Sequence, residues 1–249
     1  MTTYREIVGK KIKKVTSDPS TGIDGQMWYN STTGAIRGLA VLTATRSGSL
    51  MTTTRGNGGS MGSTRDASAV AGGYTSTANT NVTEEFNGSG FSTGGNLNTS
   101  RRALTGTGVI TAGLVCAGYA ASESNATEEY DGSSFSNGGN LNTARFHTGT
   151  FGTQTAGVAA GGSAPSPAKN VTEEYNGSSW TTVPATLSVG RQEHMAGGTE
   201  TAGICCGGQP PYTTATEEYD GSAWTTGGSL NTARAGIQGS GIQTAAIVM

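Results

Sequence analysis

A motif of about 44 residues recurs along the chain and limits the folds that the chain can adopt. Each copy contains a Thr-Glu-Glu-aromatic segment, and successive aromatic residues of these segments are 44, 45 and 44 positions apart. The four segments are residues 83–86, 127–130, 172–175 and 216–219. Repeats of this length indicate supersecondary units that bury their apolar side chains by packing against neighbouring copies.

Each segment is followed by a turn signal and a second aromatic residue. The turn signals are Asn-Gly or Asp-Gly, which favour positive φ at both centres of a type I′ turn, so we predict a tight hairpin in every unit. The dipeptides are Asn87-Gly88, Asp131-Gly132, Asn176-Gly177 and Asp220-Gly221. The second aromatic residue, five positions after the first, is Phe91, Phe135, Trp180 or Trp224.

The other half of the unit also repeats. A leucine precedes an arginine by four residues, and a small-residue strand such as Gly157–Ala160 then ends at a Gly-Gly pair. These features predict two further short strands, so each unit has four antiparallel strands and is typical of a propeller blade. A solenoid would need repeats about half as long, and a helical repeat would need helix formers that this sequence lacks.

Composition supports an ordered all-β protein. Glycine contributes 41 of 249 residues and charged residues only 13%. Long amphipathic helices are therefore excluded. Disordered chains normally have high charge and few aromatic residues, whereas the aromatic residues here occur at regular positions.

The pattern Leu141-x3-Arg145-x-His147, followed by Gly161-Gly162, Glu173-Glu174-Tyr175 and Trp180, resembles the kelch repeat. The resemblance covers residues 50 to 249 and implies a β-propeller. Kelch propellers include both enzymes and binding modules, so the resemblance specifies architecture and leaves function open.

We expect five blades, with full units starting near residue 50. Residues 242–249 match the first two strands of a unit, and residues 25–38 match its closing hairpin, with Tyr29-Asn30 aligned to Tyr130-Asp131. Pairing these segments would place N- and C-terminal strands in one blade and remove the open sheet edges. The predicted domains are an arm at 1–22 and a propeller at 23–249.

Charge is distributed unevenly along the sequence. The formal net charge is −2, and residues 1–14 contain five basic residues and one acidic residue. We interpret this segment as an anchoring arm whose contacts come from Tyr4, Arg5, Lys10, Lys11, Lys13 and Lys14. The acidic body argues against nucleic-acid binding, and no apolar run predicts membrane insertion or a signal peptide.

The stretches Tyr4–Val15 and Gly25–Gly34, together with Glu-Glu-Tyr-Asp-Gly-Ser-Ser-type repeats, resemble virion structural proteins of tailed phages, particularly marine and cyanobacterial phages. The resemblance implies a tail-fibre or capsid-decoration component made in the host cytoplasm and located in the virion. The arm would bind other virion proteins in a multi-copy assembly, and the propeller would face outward.

Repeated charged residues are interpreted as structural. The arginines form a predicted ring of Arg-carboxylate and Arg-carbonyl contacts, because a partly buried charge needs a partner. They are Arg55, Arg101, Arg145, Arg191 and Arg234. The two histidines, His147 and His194, are too few for a kelch-type copper oxidase, so we expect no metal and no cofactor.

Variable loops after each Gly-Gly pair are the predicted binding surface, since rigid scaffolds commonly present binding residues on loops. The candidate residues are Tyr74, Tyr119, Lys169 and Tyr212. The alternative is that these loops are only solvated connections.

We see no unique polar residues converging at one channel mouth, and therefore expect a non-enzymatic protein that contacts a host-surface glycan or a virion protein. A carbohydrate-active kelch-type enzyme is the alternative function.

Overall fold

The computed structural model describes residues 13–16, 27–38, 50–64, 66–164 and 167–249. Over these ranges it contains strands and turns but no helix, which confirms the all-β class. It follows that no membrane-spanning helix is present in these ranges. The chain divides into two compact units, Met1–Gly48 and Ser49–Met249.

The first unit contains one small sheet of three strands, β1 (Lys13–Val15), β2 (Met27–Asn30) and β3 (Ala35–Gly38). Strand β2 pairs in parallel with β1 and antiparallel with β3, so both of its edges are occupied. Within the turn, Asn30 Oδ1 accepts hydrogen bonds from the backbone N–H groups of Thr32 (3.0 Å) and Thr33 (3.2 Å).

The second unit contains four antiparallel sheets of four strands, arranged in a ring that resembles a propeller. The first two blades are β4 (Gly59–Thr64), β5 (Ala67–Ala71), β6 (Thr83–Phe86), β7 (Phe91–Thr93), and β8 (Thr105–Val109), β9 (Ala112–Cys116), β10 (Thr127–Tyr130), β11 (Phe135–Asn137). The next two are β12 (Gly149–Gly152), β13 (Gly157–Ala160), β14 (Thr172–Tyr175), β15 (Trp180–Val183), and β16 (Met195–Thr199), β17 (Ala202–Cys206), β18 (Thr216–Tyr219), β19 (Trp224–Thr226). The propeller arrangement of four-stranded blades is confirmed.

The predicted number of blades is wrong, because the structure has four and not five. The last strands, β20 (Gly239–Ile242) and β21 (Ala245–Val248), form a two-stranded sheet beside β16. The predicted closure of one blade by N- and C-terminal strands is also wrong, since β2 pairs with β1 and β3. The likeness of Tyr29-Asn30 to Tyr130-Asp131 indicates the Asn30 turn, whereas no repeated residue indicates the parallel partner at residues 13–15.

The outer hairpins turn through four-residue loops instead of the predicted two-residue type I′ turns. In the second blade Tyr130 pairs with Phe135, and Asp131 Oδ1 accepts the N–H groups of Ser133 and Ser134, both at 2.8 Å. Positive φ occurs at Gly132 (96°) and not at Asp131. These hydrogen bonds, led by the one from the Ser134 N–H, lower the pKa of Asp131 to about 2. The acidic side chain therefore closes the loop that we had assigned to the backbone alone.

The hydrophobic core lies between neighbouring blades. Between the second and third blades, Leu114 and Cys116 pack in one buried cluster with Leu141, Tyr175 and Trp180. Equivalent clusters lie between the first and second blades and between the third and fourth. Every blade therefore depends on its neighbour for burial, as expected of a repeat protein.

A buried ion pair joins the entry segment of each blade to its third strand. In the third blade Arg145 contacts Glu173 at 2.6 Å, and Arg145 Nη2 also donates to the Ala159 carbonyl at 3.2 Å. The same carboxylate accepts the N–H groups of Asn142 (2.7 Å) and Thr143 (3.3 Å). The corresponding pairs are Arg55–Glu84, Arg101–Glu128 and Arg191–Glu217. Because Leu141 packs against the preceding blade, this pair fixes the connection between two blades.

The second glutamate of the first three Thr-Glu-Glu segments accepts a hydrogen bond from the next blade. Tyr175 donates its hydroxyl to Glu129 (2.5 Å), and Tyr219 donates to Glu174 (2.6 Å). Tyr130 donates to Glu85 in the same way. Burial, followed by the bond to Glu129, raises the pKa of Tyr175 to about 12. In these three segments the two glutamates therefore have different tasks, one within its blade and one between blades.

Replacing Glu173 with glutamine should destabilise the protein by about 3 kcal/mol or more, because Arg145 would keep its buried charge without a carboxylate. Urea denaturation measures this loss. The matched control is Glu174→Gln on the same strand, which can still accept the Tyr219 hydroxyl and should cost only about 1 kcal/mol. Equal losses in the two variants would contradict the role of the ion pair.

Candidate functional site

Two cavities follow the innermost strands along the axis of the ring. The first, of about 340 Å³, is lined by residues at the beginnings of β4, β8, β12, β16 and β20 and by the turns before them. The second, of about 750 Å³, is lined by the ends of the same strands and the turns that follow. The mouth of the first cavity is built from one position of each repeat.

The residues at this mouth share an unusual backbone conformation. Each stands two positions after a repeated arginine and has a φ between 51° and 67°. They are Asn57, Ala103, His147, Glu193 and Gly236. From Ala103 onward, each N–H donates to the carbonyl of the equivalent residue in the preceding repeat, at 2.7 to 3.2 Å. The main chain thus builds the mouth independently of side-chain identity.

Two unique polar side chains meet at the mouth. His147 Nδ1 lies 3.2 Å from Glu193 Oε1, and each side chain is 26% exposed. Glu193 Oε2 accepts a hydrogen bond from Gln209 Nε2 at 2.6 Å. Burial lowers the pKa of His147 below its ordinary value, although the charge of Glu193 opposes this shift. The expectation that no unique polar residues converge at one channel mouth is therefore corrected.

An aromatic band extends outward from the mouth across the loop face; it consists of Tyr74, Arg102, Tyr119, Phe146 and His147. The Arg102 guanidinium lies between two rings, 4.9 Å from the centroid of Tyr74 and 4.8 Å from that of Tyr119. Tyr119 contacts Phe146 edge to face at 5.8 Å, and Phe146 lies 5.1 Å from His147. The band connects the variable loops to the axial cavity.

Local pairing explains why these side chains converge. Tyr119 exchanges two backbone hydrogen bonds with Arg102, at 2.7 and 3.0 Å, and Tyr74 does the same with Gly56. Asn79 Oδ1 accepts from Arg102 Nη1 at 3.1 Å, while its Nδ2 donates to the carbonyls of Tyr119 and Ala120. The guanidinium is therefore held by a hydrogen bond to Asn79 as well as by its contacts with the two tyrosine rings.

The predicted site residues are distributed over several places. Tyr74 and Tyr119 are brought together through Arg102, whereas Tyr212 is 65% exposed and Lys169 is half-buried outside the band. Four ring arginines form the buried ion pairs described above, and Arg234 has no ion pair among the described residues. Of the arm, Tyr4, Arg5, Lys10 and Lys11 lie outside the described residues, and Lys13 and Lys14 belong to β1.

Arg102, Phe146 and Glu193 were not predicted from the sequence, and His147 was considered only as a metal ligand. A signal was available, because the two positions after each repeated arginine vary from copy to copy while the arginine itself repeats. The first of these positions is Gly56, Arg102, Phe146, Gln192 or Ala235. Variation at such fixed positions indicates surface residues that the fold does not constrain.

Metal-binding and thiol groups do not assemble into a site. Within the described ranges no three His, Cys, Asp or Glu side chains are placed to hold a metal ion. The thiols of Cys116, Cys205 and Cys206 are free and buried, and burial raises the pKa of Cys116 to about 12. These thiols therefore act as small core side chains at neutral pH.

No model of a known protein family matches the chain, and no curated protein is significantly similar to it.

His194 should make stability depend on pH. Its side chain is buried in the wall of the first cavity, and burial, aided by the charge of Arg191, lowers its pKa to about 3. The unfolded chain binds a proton below about pH 6.5 and the folded chain does not, so acid favours unfolding. Between about pH 6 and 4 the wild type should lose roughly 1 kcal/mol more per pH unit than His194→Gln. Urea titrations at several pH values measure the difference, and parallel curves would refute it.

Proposed function

We propose that this chain is a non-enzymatic structural protein of a tailed-phage virion, a tail-fibre or capsid-decoration component whose propeller binds a host-surface glycan. The proposal depends on one feature of the loop face, the Arg102 guanidinium held between Tyr74 and Tyr119. Tyrosine rings offer flat contact area at low entropic cost, and guanidinium edges donate hydrogen bonds to hydroxyl and carboxylate groups.

The aromatic band suits a sugar because it is ordered before the ligand arrives. Asn79 fixes the guanidinium edge at 3.1 Å, and backbone pairs fix Tyr74 and Tyr119. Tyr74, Arg102 and Tyr119 are half-buried, so each keeps part of its surface for a ligand. A binding surface that is already ordered loses less entropy on association. Lys169 and Tyr212, on the two remaining loops, would make secondary contacts.

The virion setting is supported by the sequence of the first unit. The basic residues between positions 5 and 14 precede a body of opposite net charge, as expected of an anchor to an acidic partner surface. Many copies on one particle would add avidity to weak single-site glycan binding. The arm would bind other virion proteins, and the protein would reach the virion from the host cytoplasm.

The alternative, a carbohydrate-active enzyme, has one observation in its favour, the His147–Glu193 pair at the cavity mouth. Glycoside hydrolysis generally uses two carboxyl groups on either side of the bond that breaks. Among the described residues that line this cavity, Glu193 is the one carboxylate. Binding without turnover is therefore the better supported proposal, and release of reducing sugar that Glu193→Gln abolishes would overturn it.

Replacing Arg102 with alanine should weaken glycan binding at least about tenfold, because both tyrosine rings lose the cation between them. An array of bacterial surface oligosaccharides identifies ligands, and isothermal titration of one bound oligosaccharide measures the affinity. Val109→Ala, at the end of β8 beside the second cavity, is the control and should bind normally. A wild type that binds none of the sugars, or an Arg102→Ala variant that binds as tightly, would contradict the glycan proposal.

Deleting residues 1–22 should remove the protein from virions while leaving the second unit folded, since the repeats start near residue 50. Quantitative mass spectrometry of purified particles measures incorporation. A variant in which Lys10, Lys11, Lys13 and Lys14 become glutamine tests whether charge is responsible. Unchanged incorporation of the deleted form would refute the anchoring role.

A further inference from the structure

The positive charge of Arg102 is not neutralised by a carboxylate. The preceding residue, Arg101, is paired with Glu128 in the buried ion pair of its blade. Arg102 makes no ion pair with any residue that the structure describes, and its side chain instead donates a hydrogen bond to the neutral amide of Asn79 at 3.1 Å. The aromatic band therefore carries a fixed guanidinium whose charge is available to a ligand.

The role of Asn79 requires an amide. Its Nδ2 donates to the carbonyls of Tyr119 at 3.1 Å and Ala120 at 3.0 Å, so its Oδ1 is the atom that faces Arg102. A carboxylate at this position has no donor for the two carbonyl oxygens. Asn79 thus orients the guanidinium without cancelling its charge.

At neutral pH, Arg102 is the cation of the aromatic band. Burial lowers the pKa of His147 below its ordinary value against the opposing charge of Glu193, and the charge of Arg102 lowers this pKa further. The imidazole is therefore uncharged at neutral pH. Glu193 lies beside His147, so an anion is attracted to the Arg102 end of the band and repelled from the other end.

Two N–H donors on one edge of the Arg102 guanidinium are free for a ligand. Its Nε and Nη2 atoms have no hydrogen-bond partner among the described residues, and unlike the same two atoms of Arg101 they are not buried. Nε and Nη2 lie side by side and can donate two parallel hydrogen bonds to one carboxylate. The available edge therefore matches a carboxylate in both charge and shape.

The tyrosine faces at this site are covered by the cation. The Arg102 guanidinium lies over the rings of Tyr74 and Tyr119, 4.9 and 4.8 Å from their centroids. An uncharged sugar usually places its C–H groups against an open aromatic face, which carries partial negative charge. Because the guanidinium occupies one face of each ring, this part of the surface favours an anionic ligand over an uncharged one.

We propose that the aromatic band recognises a carboxylate-bearing saccharide, such as a uronic acid, whose carboxylate accepts hydrogen bonds from Nε and Nη2 of Arg102. This inference rests on the proposed glycan-binding function and names the class of glycan. The sugar ring would contact the exposed parts of Tyr74 and Tyr119. An uncharged residue of the same saccharide would lie toward His147, since Glu193 repels a second carboxylate.

Reduction of the ligand carboxyl group tests this inference directly. The probes are bacterial surface oligosaccharides with and without uronic acids, and each acidic member is paired with its carboxyl-reduced product, which has an uncharged CH2OH group. We expect the wild type to bind acidic members, and reduction to weaken binding at least about tenfold by isothermal titration. Added salt should weaken binding of the acidic form more than binding of the reduced form.

Two glutamine variants separate the charge of Arg102 from net charge. Arg102→Gln keeps an N–H donor and loses the positive charge, so it should bind the acidic and reduced forms with equal affinity. Arg234→Gln removes a positive charge outside the aromatic band and should keep the wild-type preference for the acidic form. Thermal melting of both variants verifies that they are folded.

A second measurement does not require the natural oligosaccharide. Sodium glucuronate is titrated into the 15N-labelled full chain, and NMR follows the Nε–H resonance of Arg102, which is assigned by its absence in Arg102→Gln. We expect a saturable shift with glucuronate. Methyl glucoside lacks the carboxylate and sodium acetate lacks the sugar, so each should cause a clearly smaller shift at the same concentration.

The outcomes distinguish this inference from the glycan proposal. A wild type that binds acidic and reduced forms equally, or an Arg102→Gln variant that still prefers the acidic form, overturns the inference and leaves the glycan proposal intact. Equal shifts with acetate and glucuronate also overturn it, because the site would then bind an anion only. A wild type that binds no oligosaccharide and does not respond to glucuronate contradicts both. A glucuronate-specific shift supports the inference whether or not the oligosaccharide probes include a ligand.

Discussion

A guanidinium that is removed from water must be paired, and the blades are organised around this constraint. The side chains of Arg55, Arg101, Arg145 and Arg191 are at most 2% exposed, and each contacts a glutamate of its own blade. Pairing within a blade fixes the entry segment, and in the second to fourth blades the leucine on that segment packs into the preceding blade. In the second to fourth blades the carbonyl of the same arginine accepts the N–H of a glycine in the preceding blade, as from Gly118 to Arg145 at 2.9 Å. The buried arginine thus stabilises the fold of its own blade and also the contact of that blade with the preceding one.

Features repeated in every copy could be predicted from the sequence, and features made once could not. The blade follows from regular spacing of Glu-Glu, Gly-Gly and aromatic residues, and the structure contains it four times. The fifth blade was inferred from the likeness of Asn30 to Asp131, and both do close a turn with a side-chain oxygen. That likeness concerns neighbouring residues only, whereas strand pairing joins segments that are distant in sequence. The parallel pairing of Lys13–Val15 with β2 could therefore not be predicted from the repeat.

The same distinction explains which site residues were found. Tyr74 and Tyr119 stand out because they follow the repeated glycine position, Gly73 in one copy and Gly118 in the next. Arg102 follows a buried arginine directly, and its different role depends on alternation, since neighbouring side chains on an extended segment point to opposite sides. Its sandwich between two tyrosines joins residues of two different repeats. Contacts between residues of different repeats depend on how the blades are spaced in three dimensions. The sequence of one repeat does not contain this information, so such contacts could not be predicted from it.

The left-handed residues at the cavity mouth show how a rigid fold leaves room for variation. A non-glycine residue in this conformation costs roughly 1 to 2 kcal/mol, and Asn57, Ala103, His147 and Glu193 all adopt it. The cost is offset by backbone hydrogen bonds between repeats, such as His147 N–H to the Ala103 carbonyl at 2.9 Å. Because those bonds use only main-chain atoms, the side chain at this position does not affect them. The mouth can therefore hold a histidine–glutamate pair in one sector and alanine or glycine in another without altering the ring, and recognition residues can change where the fold does not depend on them.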